Sequence, residues 1–295
     1  MANLKTLKTR IKSVKSTQKM TKAMKMVAAS RLKKAKQAVE SSRPYADKIQ
    51  EMIVSLASNI AVRGNLSEKF PLLTGKGKDQ THLVVVFSSD RGLCGGLNSA
   101  TVKMTKLHVN ALISQGRTVK IFCVGRKAYD QLRSAYGDKI IDQAFGIFRG
   151  IIEYKSAQVL AEKLTELYAK NEFDVCEVIY SKFKSAIAQE QIVKQLIPAQ
   201  IKAKSDETNA ESPIEYESGE EEVLSELLPK NLTIQIYNEL LENSASEQGA
   251  RMAAMEAASN NAGKMIKNLT LVYNRTRQAN ITKELIDIIS GANTV

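Results

Sequence analysis

Residues 4–42 read LKTLKTRIKSVKSTQKMTKAMKMVAASRLKKAKQAVESS, and the spacing of their apolar positions decides the fold. Leu4, Leu7, Ile11, Val14, Gln18, Thr21, Lys25, Ala28, Leu32, Ala35 and Val39 recur at alternating threes and fours. That is the seam of a coiled coil, apolar at both ends and polar in the middle. No Gly or Pro interrupts the stretch before Pro44, so it predicts one helix of roughly 60 Å at a rise of about 1.5 Å per residue. Twelve Lys or Arg residues fall between Lys5 and Lys36 with no acid among them, and the net charge of the whole chain is also +12. The helix therefore holds the basic excess, and the remainder is roughly balanced.

Over the polar middle a second stripe runs through Met20, Met24 and Val27, displaced by one residue, or about 100°. The drift of a straight helix against the heptad is only about 20° per repeat, so drift does not explain it. Either the helix has two partners over that span, or one broad apolar face wobbles locally.

With 295 residues, 43% of them hydrophobic, the chain can form a real core in one or two domains. Trp is absent and aromatics are only 5%, a bias towards helix and coiled coil. Cys94, Cys123 and Cys176 are odd in number and widely spaced, which fits a reducing compartment better than a disulfide framework or a zinc site. The N-terminus enters charged helix with no apolar signal segment, and no run reaches the ~18 apolar residues of a membrane span. These features predict a soluble or membrane-peripheral protein kept in the cytoplasm.

Helical patterning resumes after Pro44 through Ile49, Met52, Ile53, Leu56 and Ile60, and gives way near Gly64 to a linker rich in Gly and charge. From His82 the grammar changes to strands at Leu83–Phe87, Val119–Val124, Val175–Tyr180 and Ile192–Ile197. Helices alternate with them at about 99–114, 126–136 and 156–170, which indicates an α/β domain with a mostly parallel sheet. Residues 205–222 are acidic, with no Lys or Arg between Lys204 and Lys230, the mark of a solvated segment. A second seam then runs through Met252, Met255, Ser259, Ala262, Ile266, Leu269, Tyr273 and Thr276. The expected organisation is an N-terminal coiled-coil helix over 1–62, a linker and α/β domain over 63–204, an acidic segment over 205–231 and a C-terminal coiled-coil helix over 232–295. Two heptad helices at opposite ends of one chain pair most simply as an antiparallel coil, with the globular domain at one end of a rod.

No catalytic constellation can be assembled. His82 and His108 have no spacing that suggests metal ligands. The loop Asp90–Asn98 follows a strand and precedes a helix, where phosphate-binding loops occur, but it fits neither the dinucleotide nor the Walker pattern. Gly92, Gly95 and Gly96 read better as allowing a tight turn and close backbone packing. Cys94 has no acid-base partner and reads as a small buried residue. Gly263-Lys264 imitates the end of a Walker loop inside a helical pattern and is dismissed. The sequence thus predicts no catalytic residue, cofactor or metal. On charge alone the basic helix suits a nucleic-acid backbone or an anionic membrane. Its cations lie around every face, however, and no stacking aromatics accompany them. A rod threading an acidic protein cavity explains charge and heptads together.

The runs TLKTRIKSVKSTQKMTKAMKMVAASRL, SSDRGLCGGLN, SEQGARMAAMEAASNNA and LVYNRTRQANITKELIDIISGA together resemble the gamma subunits of F-type ATP synthases, covering both ends and the middle in order. The chloroplast cysteine pair is not seen and no transit peptide precedes the first run, which points to a bacterial-type form. The resemblance implies an antiparallel coiled-coil shaft with a Rossmann-like domain, one copy standing inside three alpha and three beta subunits. With the epsilon subunit it would rest on the membrane c-ring, at the cytoplasmic face of the inner membrane, touching the membrane only indirectly and binding no nucleic acid. Proton-driven rotation would change the affinities of the beta sites, with no catalytic residue in the shaft. By the same resemblance Arg277 and Gln278 match the pair that catches a beta-subunit loop. Met24 and Lys25 match the region facing the beta subunits' acidic lever, where Met20, Val27 and Arg31 also fall, with Lys33 and Lys34 extending the positive surface. Ile286, Ile288 and Ile289 would turn in an apolar bearing. Tyr216 and Glu217 match the foot segment at the c-ring, although Ser218-Gly219 and Glu220–Glu222 depart from the usual pattern there.

Overall fold

The computed structural model describes residues 4–62, 69–199 and 219–292. The chain divides into two compact units, one of Met1–Ala29 with Arg251–Val295, the other of Ser30–Ala250.

The first unit is a two-helix coil. It is built from the start of α1 (Leu4–Val62) and the end of α6 (Glu220–Ala292). The Gln18 amide donates to Ser259 O at 3.3 Å and the Lys25 ammonium meets Glu256 Oε1 at 2.6 Å, so the numbering rises on one helix as it falls on the other. The helices are antiparallel. On α1 the shielded positions are the seam residues Leu4, Leu7, Ile11, Val14, Gln18, Thr21, Lys25 and Ala28, joined by Met24 and Ala29. On α6 they follow Met255, Ser259, Ala262, Ile266, Leu269, Tyr273 and Thr276. The middle of this seam is polar, and Thr21 spends its hydroxyl on Gln18 O one turn back at 3.0 Å.

The second unit is a doubly wound α/β domain. Its elements are α2 (Pro71–Thr74), β1 (Thr81–Phe87), α3 (Leu97–Ser114), β2 (Thr118–Val124), α4 (Arg126–Tyr136), β3 (Ile140–Ala144), α5 (Tyr154–Ala169), β4 (Val175–Phe183) and β5 (Gln189–Ile197). The strand order is β3-β2-β1-β4-β5, parallel except for β5. Alternation along β1 divides the core between the two faces. Val84 and Val86 pack with Val102, Val109 and Leu112 of α3 and Ala128 and Leu132 of α4. Leu83, Val85 and Phe87 pack with Leu160 and Leu164 of α5 and with Ile236, Leu240 and Leu241 of α6. Each such side chain contributes roughly 1.5–3 kcal/mol on burial, so this layer is where the domain's stability concentrates. A further cluster joins Ile49, Ile53, Leu56 and Ile60 of α1 to Phe70, Leu73, Leu224, Leu228 and Ile234.

Three local readings differ from the structure. α1 runs through Pro44 without a break. The missing N–H and freed carbonyl lie on an exposed turn, where water can satisfy the carbonyl. β3 was not anticipated because Ile-Ile-Asp-Gln-Ala is a half-exposed edge strand of weak apolar character. α6 begins at Glu220, and Glu220–Glu222 form its first turn, where negative charge offsets the positive end of the helix dipole.

Candidate interaction surfaces

The loop after β1 is spent on internal bonds. The Asp90 carboxylate accepts the backbone N–H groups of Arg126 at 3.3 Å, Gly146 at 3.0 and 3.1 Å and Phe148 at 3.1 Å, tying together the turns after β2 and β3. Ser88 Oγ accepts the Ala128 N–H at 2.8 Å. Asn98 bonds Ser89 and the Cys94 sulfur. Close backbone packing does occur here, but it falls at Gly125, where a Cβ would lie 2.1 Å from Ser88 O. Cys94 and Leu97 then pack against Ala250 of α6.

All three thiols are buried and free. Burial pushes the Cys123 thiol up to about 12, and burial beside Glu177 raises Cys176 further, so both are inert as nucleophiles at neutral pH.

The two histidines, unrelated in sequence, converge on one carboxylate. His108 Nε2 lies 2.8 Å and His82 Nδ1 3.3 Å from Glu177 Oε2. His82 Nε2 lies 2.8 Å from Asp79 Oδ1, which is held in turn by Arg117. Burial alone would raise the Glu177 carboxyl, but the hydrogen bonds from His108 and His82 outweigh it and hold it at about 2. Burial likewise works against the charged His82 ring, and its bonds to Glu177 and Asp79 overcome it, raising the pKa. Parallel strand pairing brings His82 beside Val175, two residues from Glu177, a proximity that spacing along the chain could not reveal. Among the described residues no group of three or more potential ligands could hold a metal ion.

The coil's outer surface carries the remaining candidates. Met20 is 61% and Val27 54% exposed, so these two residues of the second stripe face outward, and Met26, which the stripe omitted, is 67% exposed. Met24 is half-buried, and Lys25 is paired with Glu256. Arg31, in the other unit, is exposed and reaches Arg149 O at 3.5 Å. Arg277 and Gln278 are exposed. Residues 281–290 are exposed on every face, so Ile286, Ile288 and Ile289 point outward, as do Ile281 and Leu285. The last two were missed because the seam was followed only to Thr276; apolar residues continuing past the end of a seam were the available signal. Tyr216 and Glu217 lie outside the described residues. The first unit holds fourteen Lys or Arg residues against three acids, a net +11 of the chain's +12. Among the described residues no helix is long and apolar enough to cross a membrane.

A basic antiparallel coil with apolar side chains turned outward, in one chain with a doubly wound domain, defines a protein of coiled-coil plus α/β class. Residues 3–295 match the family model described as ATP synthase. The chain is 48% identical to the ATP synthase gamma chain of Methylobacterium nodulans and 50% identical to that of Rhodopseudomonas palustris, covering each relative and itself completely. Among solved structures it resembles the central stalk and c-ring assembly of the Tetrahymena thermophila mitochondrial ATP synthase, with TM-score 0.61 at 27% identity over 81% of this chain and 99% of that one. The rotor of the Euglena gracilis mitochondrial enzyme shares the fold, with TM-score 0.62 at 16% identity over 94% of this chain and 98% of that one. The chain belongs to the ATP synthase gamma-chain family.

Proposed function

We propose that this chain is the central rotor shaft of an F-type ATP synthase. It couples proton-driven rotation of a membrane c-ring to conformational changes at the catalytic sites of the beta subunits, and runs the reverse cycle on hydrolysis. One copy stands within three alpha and three beta subunits, joined by epsilon to the c-ring, peripheral to the cytoplasmic face of a bacterial inner membrane. The observation that carries this reading is the coil of net +11 with Met20, Met26 and Val27 turned outward, which suits rotation inside an acidic protein sleeve.

The shaft catalyses nothing itself in this scheme. A single asymmetric shaft offers different contacts to each of three sites, so each orientation favours a different conformation at each site. Met20, Met24, Lys25, Val27 and Arg31 face the acidic lever of the beta subunits. Arg277 and Gln278 form the catch, with the planar guanidinium suited to bidentate contact. Ile286, Ile288 and Ile289 turn in the apical bearing, and Tyr216 and Glu217 meet the c-ring.

Reconstitution tests the reading. The chain is mixed with purified alpha and beta subunits, complexes are isolated by size, and ATP hydrolysis is assayed. One copy joining three alpha-beta pairs and raising turnover is the expected result. A chain that neither joins the ring nor alters its activity, yet binds RNA at physiological salt, would replace the shaft with a nucleic-acid hairpin.

A further inference from the structure

Two turns of α6 are buried on every face. Every residue from Asn243 to Ala250 is buried, although the stretch reads Asn-Ser-Ala-Ser-Glu-Gln-Gly-Ala and carries little hydrophobic mass. Burying polar side chains is unfavourable unless they are paired, so their partners indicate what the segment is for.

The partners of Asn243 and Ser246 lie on the edge of β4. β1 pairs with β4 only as far as Val86 opposite Ile179, while β5 pairs with the other side of β4 out to Phe183. Backbone groups of alternate residues point to the same side of a strand. Ser181 and Phe183 therefore follow Ile179 on the side that β1 has left open. Side chains of α6 take the place of the missing strand. Ser181 N donates to Asn243 Oδ1 at 3.2 Å, Ser181 O accepts from Ser246 Oγ at 2.7 Å, and Phe183 N donates to Glu242 Oε2 at 3.1 Å. One turn on, Gly249 lets the helix close against the β4–β5 hairpin: a Cβ there would lie 2.8 Å from the Phe183 ring and 3.4 Å from Ala186 Cα.

The location adds to the argument. In doubly wound sheets the crevice beyond the strand ends, at the point where strand order reverses, is where ligands bind. Here the order reverses between β1 and β4, and residues 242–249 fill that position. We infer that Glu242, Asn243, Ser246 and Gly249 are positioning residues that key α6 to the open edge of β4, fixing the rotational setting of the helix on the α/β domain so that torque on the domain is carried into α6. Turning α6 by one residue, about 100°, would remove all three hydrogen bonds and set a side chain against Phe183. The inference rests on the rotor reading above.

The test uses the whole complex in vesicles, with ATP hydrolysis and ATP-driven proton uptake measured on the same preparation. Wild type is compared with the double variant Asn243→Leu, Ser246→Ala. The variant should hydrolyse ATP near the wild-type rate while protons moved per ATP fall about fivefold. A merely structural role would lower the yield of complex and leave protons per ATP unchanged, which would overturn the key. Failure of the wild-type chain to assemble or pump would overturn the rotor reading instead. Amide exchange on the isolated full chain then decides the key separately. The Ser181 amide, which loses its Asn243 acceptor, should exchange about tenfold faster in the variant, with β1 and β2 unaffected. Uniform acceleration, or none at Ser181, would overturn the key.

Discussion

Gln18 reaches across the coil to the backbone of Ser259, its Nε2 lying 3.3 Å from that carbonyl oxygen. A Cβ placed on Gly263 would stand 3.0 Å from the same nitrogen. The residue it meets is the free end of a flexible side chain, and the amide can rotate away. Ala at a helix interior gains roughly 1 kcal/mol over Gly, so Gly263→Ala should stabilise the coil by about 0.5 kcal/mol after the strained hydrogen bond is discounted. Gly249→Ala should do the opposite, because its Cβ meets a ring and a backbone atom. Overpacking of about 1–3 kcal/mol outweighs the helix gain there. Urea unfolding of the two variants checks the contrast; the same sign for both would contradict it.

The Lys25–Glu256 pair is half-exposed, at 38% and 51%. Such pairs contribute about 0.2–1 kcal/mol and weaken with salt. A double-mutant cycle with Lys25→Gln and Glu256→Gln should return that range in low salt and less at high salt. The pair also bears on assembly, since an acidic partner approaching Lys25 must share it with Glu256. Glu256→Gln should therefore tighten binding to isolated alpha-beta complexes, measured as a slower dissociation rate. Weaker binding would mean that Glu256 itself is part of the contact.

Glu177 links stability to pH at both ends of a window. Its folded pKa, about 2, is depressed from 4.5, so its contribution is present above 4.5 and is lost as pH falls towards 2. The His82 pKa is raised from 6.5, so that contribution is full below 6.5 and is lost as pH rises through the raised value. The stability difference between wild type and Glu177→Gln should peak between about pH 4.5 and 6.5 and shrink on either side. With partial solvent screening its height should be on the order of 2 kcal/mol. Denaturant unfolding across about pH 2–9 measures it, and a flat difference would show that the cluster does not titrate as described.

The coil was legible in the sequence because its rule is local. Every seam position named on α1 from Leu4 to Ala28 is shielded, and on α6 the seam holds from Met255 to Thr276. The buried segment Asn243–Ala250 was not legible as a core, since its side chains are mostly polar, Asn243 and Ser246 bonding the edge of β4, and carry no apolar period. The junction of His82 and His108 on Glu177 depends on which strands lie side by side, and that is fixed only by the assembled sheet. The exposed candidates Arg277, Gln278, Ile286, Ile288 and Ile289 rest on the family resemblance alone; among the described residues nothing covers them, so no internal pattern could mark them.

That exposure makes Arg277 a clean test of the catch. An exposed Arg on a helix contributes little to folding, so Arg277→Ala should change the stability of the isolated chain by less than about 0.5 kcal/mol. A charge-assisted bond to a beta-subunit loop is worth roughly 1.5–3 kcal/mol, and its loss should lower ATP synthesis by the assembled complex at least about tenfold. Arg277→Lys keeps the charge but loses the planar fork. If the contact is bidentate, Lys should recover less than half of the lost activity; if charge alone matters, Lys should recover most of it. Synthesis and hydrolysis measured on the same three complexes separate these outcomes. Unchanged rates in Arg277→Ala would remove Arg277 from the catch altogether.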